Sequence, residues 1–169
     1  ANDFNLEIMS NIFTMVDLQY DNMLQSFGLI RMNLLKKVVY LRPSYYAVQN
    51  MASLLTTKVF PFELEVSHNC PREISIVGVK DDSGKAVGAM LWYSDQMPTD
   101  VLEKDNVNMV IKGLELNDPV YVEPITGKVH EMKSLILRGG KSGGDIRLTG
   151  FPMWDSPVFI MERKSVSLQ

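Results

Sequence analysis

The chain has 169 residues, of which 46% are hydrophobic and 22% are charged. These proportions are those of a folded globular domain and exclude a disordered, collagen-like or coiled-coil chain. Seventeen basic and twenty acidic side chains give a net charge of −3, which argues against nucleic acid as a partner and against a polybasic contact with a membrane. A single cysteine, Cys70, excludes an internal disulfide. The sequence does not begin with Met, so we expect a processed form or a fragment of a longer protein.

The first 57 residues predict a helical segment. Apolar side chains recur with a period near 3.6 from Asp3 to about Gln19, and Asp3 is placed to cap the first turn, which predicts an amphipathic helix. The short apolar stretch of residues 27–30 predicts a buried strand. A second helix is predicted to open at Arg42-Pro43-Ser44, because proline is favoured in a first helical turn. Its predicted apolar face consists of Tyr45, Val48, Met51, Ala52 and Leu55.

After residue 57 the apolar period changes to two, which predicts β-strands. Residues 62–66 alternate cleanly between apolar and polar side chains, and residues 72–80 and 86–93 flank a hairpin turn at Asp81-Asp82-Ser83-Gly84. A second hairpin turn is predicted at Pro124-Ile125-Thr126-Gly127. The remaining predicted strands cover residues 107–111, 120–123, 128–132, 135–137, 145–149 and 158–161.

About eight short strands with hairpin turns and no helix between them predict an antiparallel β-sandwich. The predicted fold class is therefore α+β, mainly an antiparallel β-sandwich preceded by two α-helices. The predicted domains are a helical segment over residues 1–57 and a β-sandwich domain over residues 58–169. Because two helices and one short strand leave a large apolar surface uncovered, we expect the helical segment to pack against something else.

Two segments contain residues that could bind a ligand, but neither has the complete pattern. The segment of residues 139–144 contains the glycines, lysine and serine of a phosphate-binding loop, but Leu135 stands where the pattern requires its first glycine and a strand follows instead of a helix. His68 and Cys70 lie two residues apart, and His130 is the only other histidine, whereas a zinc site needs three or four ligands. We therefore expect neither a metal nor a cofactor.

The carboxylates do not predict a catalytic pair. Glu63 and Glu65 alternate onto the polar face of a strand, and Glu7 and Asp17 lie on the first predicted helix, so we expect all four to be solvated. Glycoside hydrolysis needs two carboxylates that face one another. Because no such pair is indicated, and no Gly-x-Ser-x-Gly motif is present, we predict no catalytic residue in this chain.

Aromatic side chains leave two interpretations open. Trp92, Tyr93, Tyr121 and Trp154 lie on or beside predicted strands. Exposed Trp and Tyr rings stack on the apolar faces of sugars, whereas buried rings fill sandwich cores. Core packing is favoured for Trp92, and both readings stay open for Trp154, which lies in a Pro-Met-Trp-Asp-Ser-Pro turn. Trp92 and Trp154 are therefore the candidate carbohydrate-binding residues.

Three segments together resemble one family. Residues 42–50, RPSYYAVQN, resemble the start of the last helix of the (β/α)8 barrel in several clan-A glycoside hydrolases. Residues 119–129, PVYVEPITGKV, are similar to a phrase of the β-sandwich that follows such barrels, in which a strand ends in D-x-x-T-G. Glu123 stands here where Asp is more usual. Residues 151–160, FPMWDSPVFI, resemble the closing P-x-x-D-S-P-V-L-I strand of the same sandwiches.

The resemblance covers the chain from about Asp3 to Val166 and implies a role. Under this resemblance, the first predicted helix corresponds to the seventh barrel helix, residues 27–30 correspond to the eighth strand, and residues 43–55 correspond to the eighth helix. The acid/base and nucleophile carboxylates of those hydrolases follow strands four and seven, which would precede Ala1, so no catalytic residue carries over.

The resemblance further implies an accessory β-sandwich that supports the barrel of an exported bacterial protein, secreted or periplasmic. Its expected partner is the N-terminal barrel part of the same protein or a second copy of the chain, with carbohydrate as a further candidate. The alternative is an independent carbohydrate-binding module that uses Trp92 or Trp154. An enzyme with a site of its own has the weakest support, because neither a metal-ligand set nor a nucleophile motif is present.

Overall fold

The computed structural model describes residues 14–20, 23–55, 58–95, 103–132, 136–137 and 144–168. These residues form one α-helix, fourteen β-strands and a short 3₁₀ turn. The first part of the chain contains β1 (Leu18–Tyr20), β2 (Met23–Gln25), β3 (Ile30–Met32), β4 (Val38–Leu41) and α1 (Pro43–Leu54). The second part contains β5 (Val59–Phe62), β6 (Glu65–His68), β7 (Ile74–Asp81), β8 (Ala86–Tyr93), β9 (Asp105–Lys112), β10 (Pro119–Glu123), β11 (Lys128–Glu131), β12 (Ile136–Leu137), β13 (Ile146–Met153), β14 (Val158–Glu162) and the 3₁₀ turn Arg163–Ser165.

The larger sheet has six antiparallel strands in the order β11-β10-β14-β8-β7-β5. Both predicted hairpins lie in it. In the β7–β8 turn, Asp81 Oδ1 accepts hydrogen bonds from the backbone N–H groups of Ser83 and Lys85, each at 3.0 Å. In the β10–β11 turn, Gly127 has a φ of 68°, a conformation that glycine adopts without steric cost. The two hairpin predictions are confirmed.

The smaller sheet has four antiparallel strands in the order β12-β13-β9-β6. Its central strand β9 alternates as predicted, because Val107, Met109 and Ile111 are buried on one face. On the other face Asn108 and Lys112 are exposed, and Val110 between them is partly buried. The smaller sheet therefore has one core face and one solvent face.

The two sheets contribute side chains to one buried cluster. Leu91, Tyr121 and Ile160 come from the larger sheet, and Met109 and Leu148 come from the smaller sheet. The chain is thus mostly antiparallel β, as the period of two predicted.

A second cluster covers the other face of the larger sheet. Met90 and Phe159 of the sheet pack there with Leu54 of α1, which is 2% exposed. Met51, Leu55 and the C-terminal side chains Val166 and Leu168 adjoin the same cluster. Because both faces of the larger sheet are covered, every residue of β14 is buried.

The second predicted helix is confirmed, and the first is wrong where the structure describes it. Asp3 and Glu7 lie outside the described residues. Residues 14–17 are extended, because Ile30 N donates to Met15 O at 2.8 Å and Asp17 N donates to Ile30 O at 3.2 Å. β1 and β2 then form an antiparallel hairpin. Pairing with a remote segment has overridden the helical period of these residues.

The predicted strand over residues 27–30 is shifted. β3 begins at Ile30, Leu29 is buried, and Phe27 is 51% exposed. The shift occurs because the backbone of Leu29 and Ile30 hydrogen-bonds residues 14, 15 and 17 while β3 pairs with β4.

The single strand predicted over residues 62–66 is two strands in different sheets. β5 ends at Phe62 in the larger sheet, and β6 begins at Glu65 in the smaller sheet. Glu63 and Leu64 cross between the sheets, and their alternation continues the pattern of the strands, so the period does not reveal the crossing. Glu63 and Glu65 are exposed, as expected. This split contributes to ten described strands after residue 57, where about eight were predicted.

No helix within the described ranges is long and apolar enough to cross a bilayer.

Candidate functional site

A seam joins α1 to the turn between β10 and β11. Asn50 Nδ2 donates a hydrogen bond to Pro124 O at 2.8 Å, across 74 positions of sequence. Gly127 packs beneath the same amide, since a Cβ at this position would lie 3.0 Å from Asn50 Nδ2. The first and second of the three family-like segments therefore meet at this seam.

Glu123 lies at the end of β10, next to the seam, and is 4% exposed. Its Oε1 accepts a hydrogen bond from Lys104 Nζ at 2.5 Å, and its Oε2 accepts one from Thr126 Oγ1 at 3.0 Å. His130 Nε2 lies 3.5 Å from Oε1. Burial raises the pKa of the Glu123 carboxyl, but hydrogen bonds from Lys104 and Thr126 and the nearby positive charges outweigh burial and lower it. The carboxylate is thus a fixed negative charge that ties β10 to the residue preceding β9.

The third family-like segment contacts the second through Lys104 and through an aromatic pair. The Trp154 ring centroid lies 5.4 Å from Lys104 Nζ, a cation–π distance. Phe151, from the same segment, packs edge-on against Tyr121 with ring centroids 5.3 Å apart. The second and third family-like segments therefore meet in the cluster shared by the two sheets, on the face of the larger sheet opposite α1.

The two candidate carbohydrate-binding tryptophans lie in different surroundings. Trp154 is 6% exposed and belongs to the cluster shared by the two sheets. Trp92 is partly buried and packs against the cluster beneath α1. Trp154 thus offers a sugar almost no free ring surface, and Trp92 offers part of one.

A second polar cluster surrounds Tyr93, at the end of β8. Tyr93 OH donates to Asp105 Oδ2 at 2.7 Å, and Cys70 Sγ lies 3.9 Å from the same hydroxyl. The Arg72 guanidinium lies 3.9 Å from the centre of the Tyr93 ring. Burial, followed by the hydrogen bond to Asp105, raises the pKa of Tyr93, so the phenol is a proton-bearing structural donor. Cys70 thus contacts a tyrosine, and among the described residues no three His, Cys, Asp or Glu side chains are grouped as metal ligands would be.

The described residues before α1 form a surface rich in exposed apolar side chains, called the apolar surface below. Eleven of the fourteen exposed large hydrophobic side chains among the described residues lie between Met15 and Tyr46. Val38 and Val39 are 60% and 56% exposed. Because consecutive strand residues point to opposite faces, both faces of the β3–β4 ribbon are uncovered. Exposure on this scale marks an interaction surface.

A short parallel strand pair underlies this surface. Val16 and Ile30 form a parallel bridge. The two strands approach so closely that a Cβ on Gly28 would lie 2.2 Å from the Val16 carbonyl carbon, so only glycine fits there. Parallel strands occur almost only in sheets that helices cover on both faces, which is an environment that the described residues do not provide.

Asp17 follows the first of these parallel strands and is not solvated, contrary to the prediction. Its side chain is 0% exposed. It accepts hydrogen bonds from Arg42 Nη1 at 2.7 Å, from Arg31 Nη1 at 3.2 Å, and from the backbone N–H groups of Gly28 and Met32. The Arg42 hydrogen bond, opposed by burial, lowers the pKa of Asp17 to about 2. The only sequence signal was a carboxylate between Val16 and Leu18, inside an apolar stretch.

No protein-family model matches this chain, and no curated protein matches it. The function proposed below therefore depends on the geometry of the seam and of the apolar surface, and on the resemblance of the three segments.

Proposed function

We propose that this chain is the C-terminal accessory β-sandwich of a glycoside-hydrolase-like protein, together with the last elements of its (β/α)8 barrel. The observation that carries the proposal is the seam. Segment 42–50 meets segment 119–129 there through Asn50, across 74 positions of sequence. Segment 151–160 meets segment 119–129 on the other face of the larger sheet, where Phe151 packs against Tyr121. A joint between the last barrel helix and the sandwich accounts for the first of these contacts.

The apolar surface supports a barrel as the partner of this chain. Residues 14–16 and 28–30 run parallel, as barrel strands do, and their surroundings expose Met15, Phe27 and Val39. In this proposal the remaining strands and helices of the barrel cover these side chains. The accessory role is to hold the last barrel helix, α1, against the larger sheet.

The sandwich itself is part of the proposal. Side chains from both sheets enter one cluster, which is the arrangement that two facing sheets produce. The exported bacterial setting follows from the family resemblance alone. In this proposal the chain contributes structural support, and the hydrolytic carboxylates belong to the barrel.

The first test is the mass of the native protein in its source. An immunoblot with an antibody against this chain should detect a protein well above 19.1 kDa, because a complete barrel requires about 200 further residues. A native species of 19.1 kDa would contradict the proposal.

The second test is the seam in that longer protein. Asn50→Ala removes the hydrogen bond to Pro124 O and should cost about 1 kcal/mol of unfolding free energy. Gln49→Ala, at the exposed neighbouring position, is the matched control and should be neutral. Equal effects of the two substitutions in chemical denaturation would remove the support that the seam gives.

The alternative function, an independent carbohydrate-binding module, has one favourable observation. Trp92 is only partly buried, unlike Trp154. Titration of the chain with neutral and charged oligosaccharides should then change tryptophan fluorescence, and Trp92→Phe should abolish the change. An unchanged spectrum with every oligosaccharide would rule the module out.

A further inference from the structure

We propose that Arg31 binds the carboxylate of an acidic sugar, so that the substrate of the parent protein is a uronic-acid-containing glycan. This inference rests on the proposed function and gives its substrate class. Arg31 directly follows Ile30, the residue that forms the parallel bridge with Val16. Asp17 directly follows Val16, so both charged residues lie one position beyond the parallel bridge in the chain direction, the direction in which barrel proteins bind their ligands.

The Arg31 guanidinium is held through one nitrogen. Its Nη1 donates to Asp17 Oδ2 at 3.2 Å and to Ser26 Oγ. Within the described part of the chain these are its hydrogen bonds, which leaves Nε and Nη2 as a free pair of donors. Such a fork matches the two oxygens of a carboxylate. Because Asp17 and Ser26 fix the fork, the site is pre-organised by residues of this chain.

The charge balance around Asp17 also favours an anion. Arg42 already pairs with Asp17 through both terminal nitrogens, at 2.7 and 3.2 Å. Two guanidinium groups therefore share one carboxylate, and the described residues of the cluster carry one excess positive charge. The Arg31 side chain is 32% exposed, so a ligand can reach it, while partial burial strengthens the attraction.

The position of Tyr40 indicates that the carboxylate bound by Arg31 belongs to a sugar. Tyr40 lies directly opposite Arg31 in the β3–β4 pairing, and directly opposite residues project on the same face. Tyr40 is 53% exposed, so its ring can pack against the apolar C–H face of a pyranose. A uronic acid presents that face and a carboxylate together, which matches the tyrosine and the guanidinium side by side.

The test is an NMR titration of the 169-residue chain with a galacturonic acid trisaccharide, at a concentration at which sedimentation velocity shows the chain to be monomeric. The signal of the Arg31 Nε–H group should shift with the acidic trisaccharide and should not shift with a neutral galactose trisaccharide. Arg31→Lys keeps the charge but removes the fork, and should weaken binding about tenfold or more. Lys37→Met, an exposed charge on the same ribbon, is the control and should change affinity less than about twofold.

Folding of the variant is checked by the amide signals of Gly28 and Met32, which report the Asp17 contacts. If Arg31→Lys disturbs them, Tyr40→Leu replaces it, and a loss of about threefold in affinity is expected. No shift of the wild-type Arg31 signal with the acidic trisaccharide would overturn the proposal. Equal binding of a short poly-glutamate would show that a carboxylate suffices without a sugar ring, and would overturn the uronic acid as the ligand. The native-mass measurement decides the proposed function separately, so the two failures are distinguishable.

Discussion

Asp17 is a buried carboxylate that depends on its charge. Its pKa lies at about 2 in the folded chain, below the ordinary value of 3.8. A lowered pKa contributes stability that is fully present above pH 4 and is lost as the pH falls through about 2. We expect Asp17→Asn to be less stable than the wild type at pH 7, and the difference to shrink between pH 4 and pH 2.

Urea unfolding of both proteins across this pH range measures the effect. Both proteins retain the other carboxylates, including Glu123. The pH dependence of stability due to those groups is therefore the same in both and drops out of the difference. A stability difference that stays constant from pH 7 to pH 2 would contradict the role assigned to Asp17.

Gly127 offers a second prediction for a single residue. Gly127→Ala forces a side chain into a φ of 68° and places a Cβ 3.0 Å from Asn50 Nδ2. Gly84→Ala is the matched control, because Gly84 has a φ of 82° and no atom within 4 Å of the added Cβ. Both should lose about 1 kcal/mol from backbone strain, and Gly127→Ala should lose more in chemical denaturation. Equal losses would mean that the Asn50 contact adds nothing.

At the scale of elements, the docking of α1 depends on Leu54. Leu54 is 2% exposed in the cluster over the larger sheet, so Leu54→Ala should cost about 3 kcal/mol through lost contacts and a cavity. Tyr46→Ala, on the exposed side of α1 at 48% exposure, should cost less than about 1 kcal/mol. Differential scanning calorimetry distinguishes the two, and similar losses would show that α1 docks by another face.

Strands could be predicted from the sequence where a clear alternation of apolar residues and a recognisable turn define their bounds. β8 has the predicted bounds, and the glycines Gly84 and Gly127 mark the two hairpin turns. The alternation of β9 identified its buried face. Helix α1 was located by Pro43, and Met51 and Leu55 of its predicted apolar face adjoin the cluster beneath it, but Ala52 is exposed and Leu54, outside that face, is buried. A helix that packs on a flat sheet contacts it along a line that the apolar period alone does not fix.

Tertiary pairing explains what the sequence did not predict. The predicted helical period extends over residues 14–16, which instead pair with Leu29 and Ile30. The seam between Asn50 and Pro124 joins residues 74 positions apart, and no local pattern indicates that they meet. The sequence left core packing and an exposed turn position both open for Trp154, and contacts in the cluster shared by the two sheets bury it. Sites made by distant segments need the fold before they can be identified.

At the scale of the whole molecule, the uncovered apolar surface should make the isolated chain associate. Leu35 is 76% exposed and Val39 is 56% exposed, and burial of such side chains favours contact between copies. The double variant Leu35→Ser, Val39→Ser should shift sedimentation velocity profiles towards the monomer. Val129→Ser, at 41% exposure on β11, is the control and should leave association unchanged. A wild-type chain that stays monomeric at high concentration would contradict this prediction.

The position of β14 has a consequence for how the protein is made in a cell. β14 is the last described strand in sequence, but it lies between β10 and β8 in the larger sheet. The β7–β8 and β10–β11 hairpins can form as they leave the ribosome, and they remain two separate pieces until residues 158–162 emerge. Each piece meanwhile presents an unpaired edge that can pair with other nascent chains. The larger sheet therefore stays divided until β14 has been synthesised, and a chain stalled before residue 158 presents the divided sheet to chaperones or proteases.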